Sequence, residues 1–254
     1  MNFYLTTLGT ASARPIVDKS QSAHVVNLHG RLFLIDCGEG TQIQLKRYRI
    51  SKGHLDNILI SHLHGDHIFG IFGLLSTMAL DGRTAPLYVY APRDFASILK
   101  FFLAHFGEGI KYEIHHIPLN AKEPEEIVSF RHCRVLAFPL RHRIDCFGFK
   151  IIRDMKSFAY CSDTAVFPEE AEWLSGTDLI YHEATFADEH IDLAHRMYHS
   201  TAREAALVAA QAGASKLVLG HFSSRYPDLG LLLTQAREVF PETYLAEEGK
   251  AFEI

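Results

Sequence analysis

The sequence predicts an α/β fold of two facing mixed sheets with helices on the outside. Two observations carry this reading. Strand signals dominate both halves of the chain, with helical patterns between them, which favours paired sheets over one doubly wound sheet. Polar, metal-capable residues also recur just past apolar strand runs. The densest case is Ser61-His62-Leu63-His64-Gly65-Asp66-His67, directly after Ile58-Leu59-Ile60. The chain reads as one domain over 1–254, with no linker, internal repeat or low-complexity tract.

The elements follow in order. Asn2 to Leu8 alternates as a first strand, and residues 11–22, with Pro15, read as a loop. Ala23 to Leu28 and Arg31 to Asp36 flank His29-Gly30, which is a hairpin signal. Asp36-Cys37-Gly38-Glu39-Gly40 supplies a tight turn into a helix from about Glu39 to Arg49, and Asp36 is placed to orient the histidine-rich turn. A helix then runs from that turn to about Leu80, stopped by Asp81-Gly82. Leu87 to Tyr90 is a strand. Asp94 can cap a helix in which Phe95, Ile98, Leu99, Phe102 and Phe106 form a core stripe. Tyr112 to Ile117, Ile127 to Phe130, Cys133 to Phe138, Cys146 to Ile152, Ser157 to Cys161 and Lys216 to Leu219 read as strands. Thr201-x-x-Glu204 is a capping box opening a helix through about Ala212, closed by Gly213.

Composition is that of a soluble globular protein, 48% hydrophobic and 22% charged. A net charge of −5 argues against a protein that coats nucleic acid through a global basic field, though not against a local basic patch. Cys37, Cys133, Cys146 and Cys161 form no CxxC pair and read as reduced core residues, which places the protein in the cytoplasm. No signal peptide pattern opens the chain, and no apolar run is long enough to span a bilayer, so no membrane partner is expected.

Sixteen histidines is a high count. The turn at 61–67 packs His62, His64, Asp66 and His67 at a strand-to-helix junction, and imidazole nitrogen and carboxylate oxygen are zinc ligands. One turn cannot complete two metal sites. The same strand-end context recurs at His142, after Val135 to Leu140, at Asp163, after Ser157 to Cys161, and at His221, after Lys216 to Leu219. His24, His54, His105, His115, His116, His132, His190 and His195 lack it and read as surface or packing residues.

The set His62, His64, Asp66, His67, His142, Asp163 and His221 resembles the signature of the metallo-β-lactamase superfamily along the whole chain. The resemblance implies an αββα sandwich with two metal ions, expected as Zn2+, with Mn2+ or iron as substitutes. By motif, His62, His64 and His142 would hold one ion, Asp66, His67 and His221 the other, and Asp163 both. Asp36-Cys37-Gly38-Glu39-Gly40-Thr41-Gln42, His182-Glu183-Ala184-Thr185-Phe186, His199-Ser200-Thr201 and Gly220-His221-Phe222-Ser223-Ser224-Arg225-Tyr226 narrow it to a resemblance to ribonuclease Z, which trims the 3′ end of precursor tRNA. That implies a Glu183–His199 pair beside the metals and a homodimer. The expected activity is phosphodiester hydrolysis. Ions about 3.5–4 Å apart would generate a bridging hydroxide that attacks phosphorus. Asp66, with a role as metal ligand and proton acceptor, His199 and Glu183 are then the catalytic residues, and Ser223 and Arg225 are candidate phosphate contacts.

Two departures bear on the substrate. Bacterial ribonuclease Z carries a long tRNA-gripping arm between the motifs of His142 and Asp163, whereas here only twenty residues separate them. The family's Pro-x-Lys-x-Arg-Asn loop is met by Pro15-Ile16-Val17-Asp18-Lys19-Ser20-Gln21, where only Pro15 is in register. The expected partner is therefore a phosphodiester, either small or an RNA 3′ end, with genuine tRNA 3′ processing as the alternative. Hydrolysis of another ester class (arylsulfatase, lactonase, thioesterase) is a rival. Asp163 argues against zinc β-lactamases with Cys at that motif. His64 argues against diiron redox members of the fold, and the intact ligand set argues against a vestigial binding module.

Overall fold

The computed structural model describes residues 3–254; Asn2, at the start of the first expected strand, lies outside them. The described residues form two compact units, 3–120 with Glu247–Glu253, and Ala121–Ala246 with Ile254. Each holds one seven-stranded sheet.

In the first unit the strands are β1 (Phe3–Gly9), β2 (Ala23–Leu28), β3 (Arg31–Ile35), β4 (Leu55–Leu59), β5 (Leu87–Pro92) and β6 (Ile114–Leu119), with the C-terminal strand Ala251–Glu253 on the outer side of β1. Pairing is antiparallel as far as β3 and parallel from β3 to β6. The β2–β3 hairpin turns as expected. His29 (φ 52°) and Gly30 (φ 90°) both adopt the left-handed conformation that a two-residue hairpin loop needs.

Helices α1 (Thr41–Arg47), α2 (Gly65–Ile68), α3 (Ile71–Leu80) and α4 (Phe95–Phe106) complete the unit. α1 starts later than the sequence pattern suggests, because Gly40 is left-handed (φ 81°) at its N-cap. The single helix expected after the histidine turn is instead α2 and α3. Gly70 breaks it: its N–H donates to the Cys37 carbonyl at 2.9 Å, and a Cβ there would lie 2.0 Å from the Gly38 carbonyl oxygen. Asp94 does occupy the N-cap of α4, but its backbone is already helical and its side chain makes no cap bond. Phe95, Leu99 and Phe102 bury the stripe of α4, and Phe106 does not join them. The core of this unit gathers Leu34, Ile58, Val89 and Phe95 from strands and helices alike.

The second unit runs β7 (Glu125–Phe130), β8 (Cys133–Pro139), β9 (Phe147–Arg153), β10 (Lys156–Cys161), β11 (Leu179–Glu183), β12 (Lys216–Gly220) and β13 (Thr243–Leu245); the C-terminal strand of the first unit is β14. Pairing is antiparallel from β7 to β10 and parallel from β10 to β13, so this sheet is mixed as well. Helices α5 (Glu170–Trp173), α6 (Ile191–Met197), α7 (Ala202–Gln211) and α8 (Gly230–Arg237) belong to it. The capping box on α7 is present, with Thr201 and Glu204 bonding each other's backbone. All four cysteines are buried and outside any disulfide. No helix of the described residues is long and apolar enough to cross a membrane.

Candidate metal centre

Parallel pairing of β3 and β4 brings two strand ends together in the first unit. Asp36 follows β3 in a left-handed conformation (φ 56°), a strained one for a non-glycine residue. Its carboxylate accepts from the Ser61 N–H at 2.8 Å, the Ser61 hydroxyl at 3.0 Å and the His67 Nδ1 at 2.8 Å. Asp36 thus holds the histidine turn, as its position suggests. Gly38 makes room for this, since a Cβ there would lie 2.4 Å from the Asp66 carbonyl oxygen.

These bonds fix tautomers. A carboxylate can only accept, so His67 Nδ1 carries the proton and Nε2 presents its lone pair. The Ser61 hydroxyl spends its hydrogen on Asp36, so it accepts from His62 Nδ1 at 3.0 Å and leaves the lone pair on His62 Nε2. That Nε2 lies 3.0 Å from His64 Nδ1. Two nitrogens on one tetrahedral zinc sit roughly 3.3 Å apart, from bonds of about 2.0–2.1 Å. His67 Nε2 also lies 3.4 Å from Asp66 Oδ2. A lone pair facing a carboxylate at this distance calls for a cation, so the donor set fits a metal.

In the second unit the C-terminal ends of β10, β11 and β12 are neighbours in register, with Cys161 opposite His182 and Glu183 opposite Gly220. Asp163, Glu183 and His221 therefore meet at one sheet edge. β8 runs in the same direction as β10 and delivers His142. His142 Nδ1 bonds the Tyr198 carbonyl at 3.0 Å. His221, again left-handed (φ 58°), bonds Thr185 Oγ1 through Nδ1 at 2.9 Å, while the Thr185 hydroxyl donates to the His221 carbonyl at 3.0 Å. Both imidazoles consequently present lone pairs at Nε2. These face different oxygens of one carboxylate: His221 Nε2 is 3.2 Å from Asp163 Oδ1, and His142 Nε2 is 3.8 Å from Asp163 Oδ2. Asp163, His199 and His221 each bring a donor atom within 4.8 Å of the others.

Glu183 is buried and gathers four donors. Its carboxylate accepts from His199 Nδ1 at 2.7 Å and from the N–H groups of Thr164, Thr185 and Ser200 at 3.2, 2.9 and 3.1 Å. Burial pushes its pKa up, but the charge and hydrogen bond of His199 outweigh that and hold it below the ordinary glutamate value. The His199 ring stands 5.3 Å from that of His142 and 5.7 Å from that of His221.

Several supports were not evident from the sequence. Thr185 and the Tyr198 carbonyl fix two histidine tautomers, and Glu170 pairs with His182 at 3.0 Å. The only hint in the sequence was Thr185's place in the motif with Glu183. Cys161, Glu170 and His182 also bring donor atoms within 4.8 Å. That trio is not a metal site by its chemistry. His182 Nδ1 donates to the Glu183 carbonyl at 2.7 Å and Nε2 to Glu170, so neither nitrogen keeps a lone pair. Ser223 is buried, whereas Arg225 is exposed with its guanidinium 5.8 Å from the Phe186 ring centre.

The model of the Beta-lactamase superfamily domain matches residues 31–222. Ribonuclease Z of Bacteroides fragilis (strain YCH46) is 39% identical, covering 97% of this chain and 97% of that protein. The alignment runs over 296 positions, more than the 254 residues here, so that relative carries residues without a counterpart in this chain. Among solved structures, the short form of human tRNase Z superposes with a TM-score of 0.87 at 30% identity, covering 99% of both chains. A metallo-beta-lactamase fold protein of Bacillus subtilis superposes at 0.85 with 22% identity, which speaks to the fold alone. Fold, strand-end histidines and aspartates, and relatives agree: the chain belongs to the beta-lactamase superfamily and, within it, to the ribonuclease Z family.

Proposed function

We propose that this protein is a dinuclear zinc hydrolase that cleaves RNA phosphodiesters, with the 3′ end of a tRNA precursor as its substrate. One observation carries the dinuclear reading. The two oxygens of Asp163 face the Nε2 atoms of two different histidines, the arrangement of a carboxylate shared by two cations. His62, His64 and His142 are assigned to one ion, and Asp66, His67 and His221 to the other, following the family motif. The relatives named Ribonuclease Z favour the RNA end over a small phosphodiester, the two substrates the sequence leaves open.

Bound ions would supply positive charge against the phosphoryl oxygens and lower the pKa of an attacking water. Asp66 accepts the proton that this water gives up. With Nδ1–H donating to Glu183, His199 acts in its doubly protonated form, whose Nε2–H gives a proton to the leaving oxygen and so leaves the neutral imidazole. Glu183 holds that ring in one orientation and faces its charge. Zinc suits the nitrogen-rich donor set better than magnesium does. The buried thiols, outside any disulfide, favour work in the cytoplasm, and a homodimer is the assembly expected of the family.

The deciding experiment measures metal content and cleavage together. The purified protein is expected to hold two zinc equivalents and to cut a 3′-extended tRNA transcript. His64→Ala and His142→Ala should each lose the same equivalent. Wild-type protein that binds one ion or none, or that turns over only sulfates, lactones or thioesters, would refute the assignment. Light scattering after size exclusion reads the oligomeric state.

A further inference from the structure

The second unit contains a cavity of about 360 Å³ bounded by Arg141, Ala165, Val166, His195, Arg196 and Tyr198. Two of its lining residues are tied through their backbone N–H groups. The Ala165 N–H donates to the Arg141 carbonyl at 2.9 Å, and the Arg141 N–H to Thr164 Oγ1 at 3.0 Å. His195 is engaged by Glu204 at 2.5 Å. Arg141 and Arg196 are exposed, and among the described residues neither guanidinium has a carboxylate partner. A chain of net charge −5 keeps two cations together at one concavity without neutralising them.

Tyr198 adds a second feature. It ends α6 in the left-handed region (φ 59°, ψ 47°), costly for a bulky side chain. Glycine or asparagine would end the helix there with less strain. The residue is 38% exposed and lines the cavity. Its carbonyl meanwhile receives His142 Nδ1. Arg141 precedes His142 in the chain, and Tyr198 precedes His199, so the cavity is covalently adjacent to the candidate centre on two sides.

We propose that this cavity binds a single-stranded RNA nucleotide adjoining the scissile phosphate. Arg141 and Arg196 hold its phosphate, and Tyr198 takes its base. This inference rests on the phosphodiesterase reading above. Guanidinium forks match phosphate oxygens in charge and geometry. An exposed aromatic ring stacks any base without reading its sequence. The volume lies within the range of small-ligand sites, which is about 300–1,000 Å³. In an acidic protein the local pair of arginines, not a global field, provides the attraction.

The test is fluorescence anisotropy with a fluorescein-labelled single-stranded RNA octamer in EDTA, at several salt concentrations, alongside KM for a 3′-extended tRNA with the zinc-loaded protein. Arg141→Ala/Arg196→Ala should weaken octamer binding at least about tenfold, and lower the slope of log affinity against log salt by about 0.7 for each phosphate no longer neutralised. Lys122→Ala, an exposed cation elsewhere, should bind within about twofold of wild type, which sets the scale for a non-specific charge loss. Tyr198→Phe should bind as wild type, and Tyr198→Leu roughly tenfold more weakly. An unchanged slope in the arginine double variant, or equal binding by the two Tyr198 variants, overturns the pocket. The reading beneath it is checked on the wild-type sample. Absent RNA cleavage with the arginine effect intact overturns that reading, while intact cleavage with no arginine effect overturns the pocket alone.

Discussion

Glu183 shows how a single buried side chain sets the terms for its neighbours. It accepts three backbone N–H groups and one imidazole. Removing its charge leaves those donors facing a weaker acceptor, and His199 loses its anchor. Glu183→Gln is therefore expected to lower kcat by about 10²–10⁴ with little change in KM, read by steady-state kinetics. A raised KM at constant kcat would show that the pair binds substrate and does not act in the chemical step. The pH sign follows from the carboxyl's depressed pKa. Its contribution to stability is fully present above the ordinary glutamate value near 4.5 and is lost as pH falls through the lower folded value. His182 has the opposite sign. Burial pushes its pKa down, but the charge and hydrogen bond of Glu170 outweigh burial and raise it. Its contribution is fully present below the ordinary histidine value near 6.5 and fades as pH rises through the raised one. Urea unfolding should show wild type losing part of its advantage over Glu170→Gln between neutral and alkaline pH. A gap between the two that does not change with pH would mean that His182 is neutral in the fold.

At the scale of elements, strand ends and caps carry the site, and their sequence signals differ in strength. The turn after β4 and the box opening α7 are local patterns, so the residues alone foretell them. His142, Asp163 and His221 stand out as candidates because each sits just past an apolar strand run. Thr185, Glu170 and the Tyr198 carbonyl do not, since their partners lie 36, 12 and 56 residues away and no local pattern encodes such pairings. The break between α2 and α3 escaped for the same reason. It follows from the close approach of Gly70 to the Gly38 carbonyl, which no helix pattern reveals. That approach makes a prediction. Gly70→Ala must displace backbone that also carries Asp36 and the histidine turn. The expected loss is more than about 2 kcal/mol in chemical denaturation, together with weakened metal retention in dialysis. Thr201→Ala removes the cap bond and a buried methyl and should cost about 1–2 kcal/mol, with metal content unchanged.

For the whole molecule, the informative feature is what lies between His142 and Asp163. In this chain that stretch is the β9–β10 hairpin, with Arg153 paired to Lys156 across a two-residue loop whose Asp154 is left-handed (φ 52°). A tight hairpin leaves no length for a protruding arm, and the Bacteroides fragilis relative aligns over more positions than this chain has residues. An arm that grips the tRNA elbow adds binding energy far from the reacting phosphate. A protein without one must draw substrate affinity from groups near the cleavage point. Trimming the tRNA precursor to its acceptor stem and T arm should then raise KM by less than about threefold, because no distant grip is removed; such uniform binding losses appear in KM with kcat unchanged. The affinity that remains should fall with salt in proportion to the few phosphates bound near the centre. Steady-state kinetics on the full and trimmed substrates at two salt concentrations would measure both effects. A KM that rises tenfold or more on trimming would mean that another surface of this chain grips the elbow.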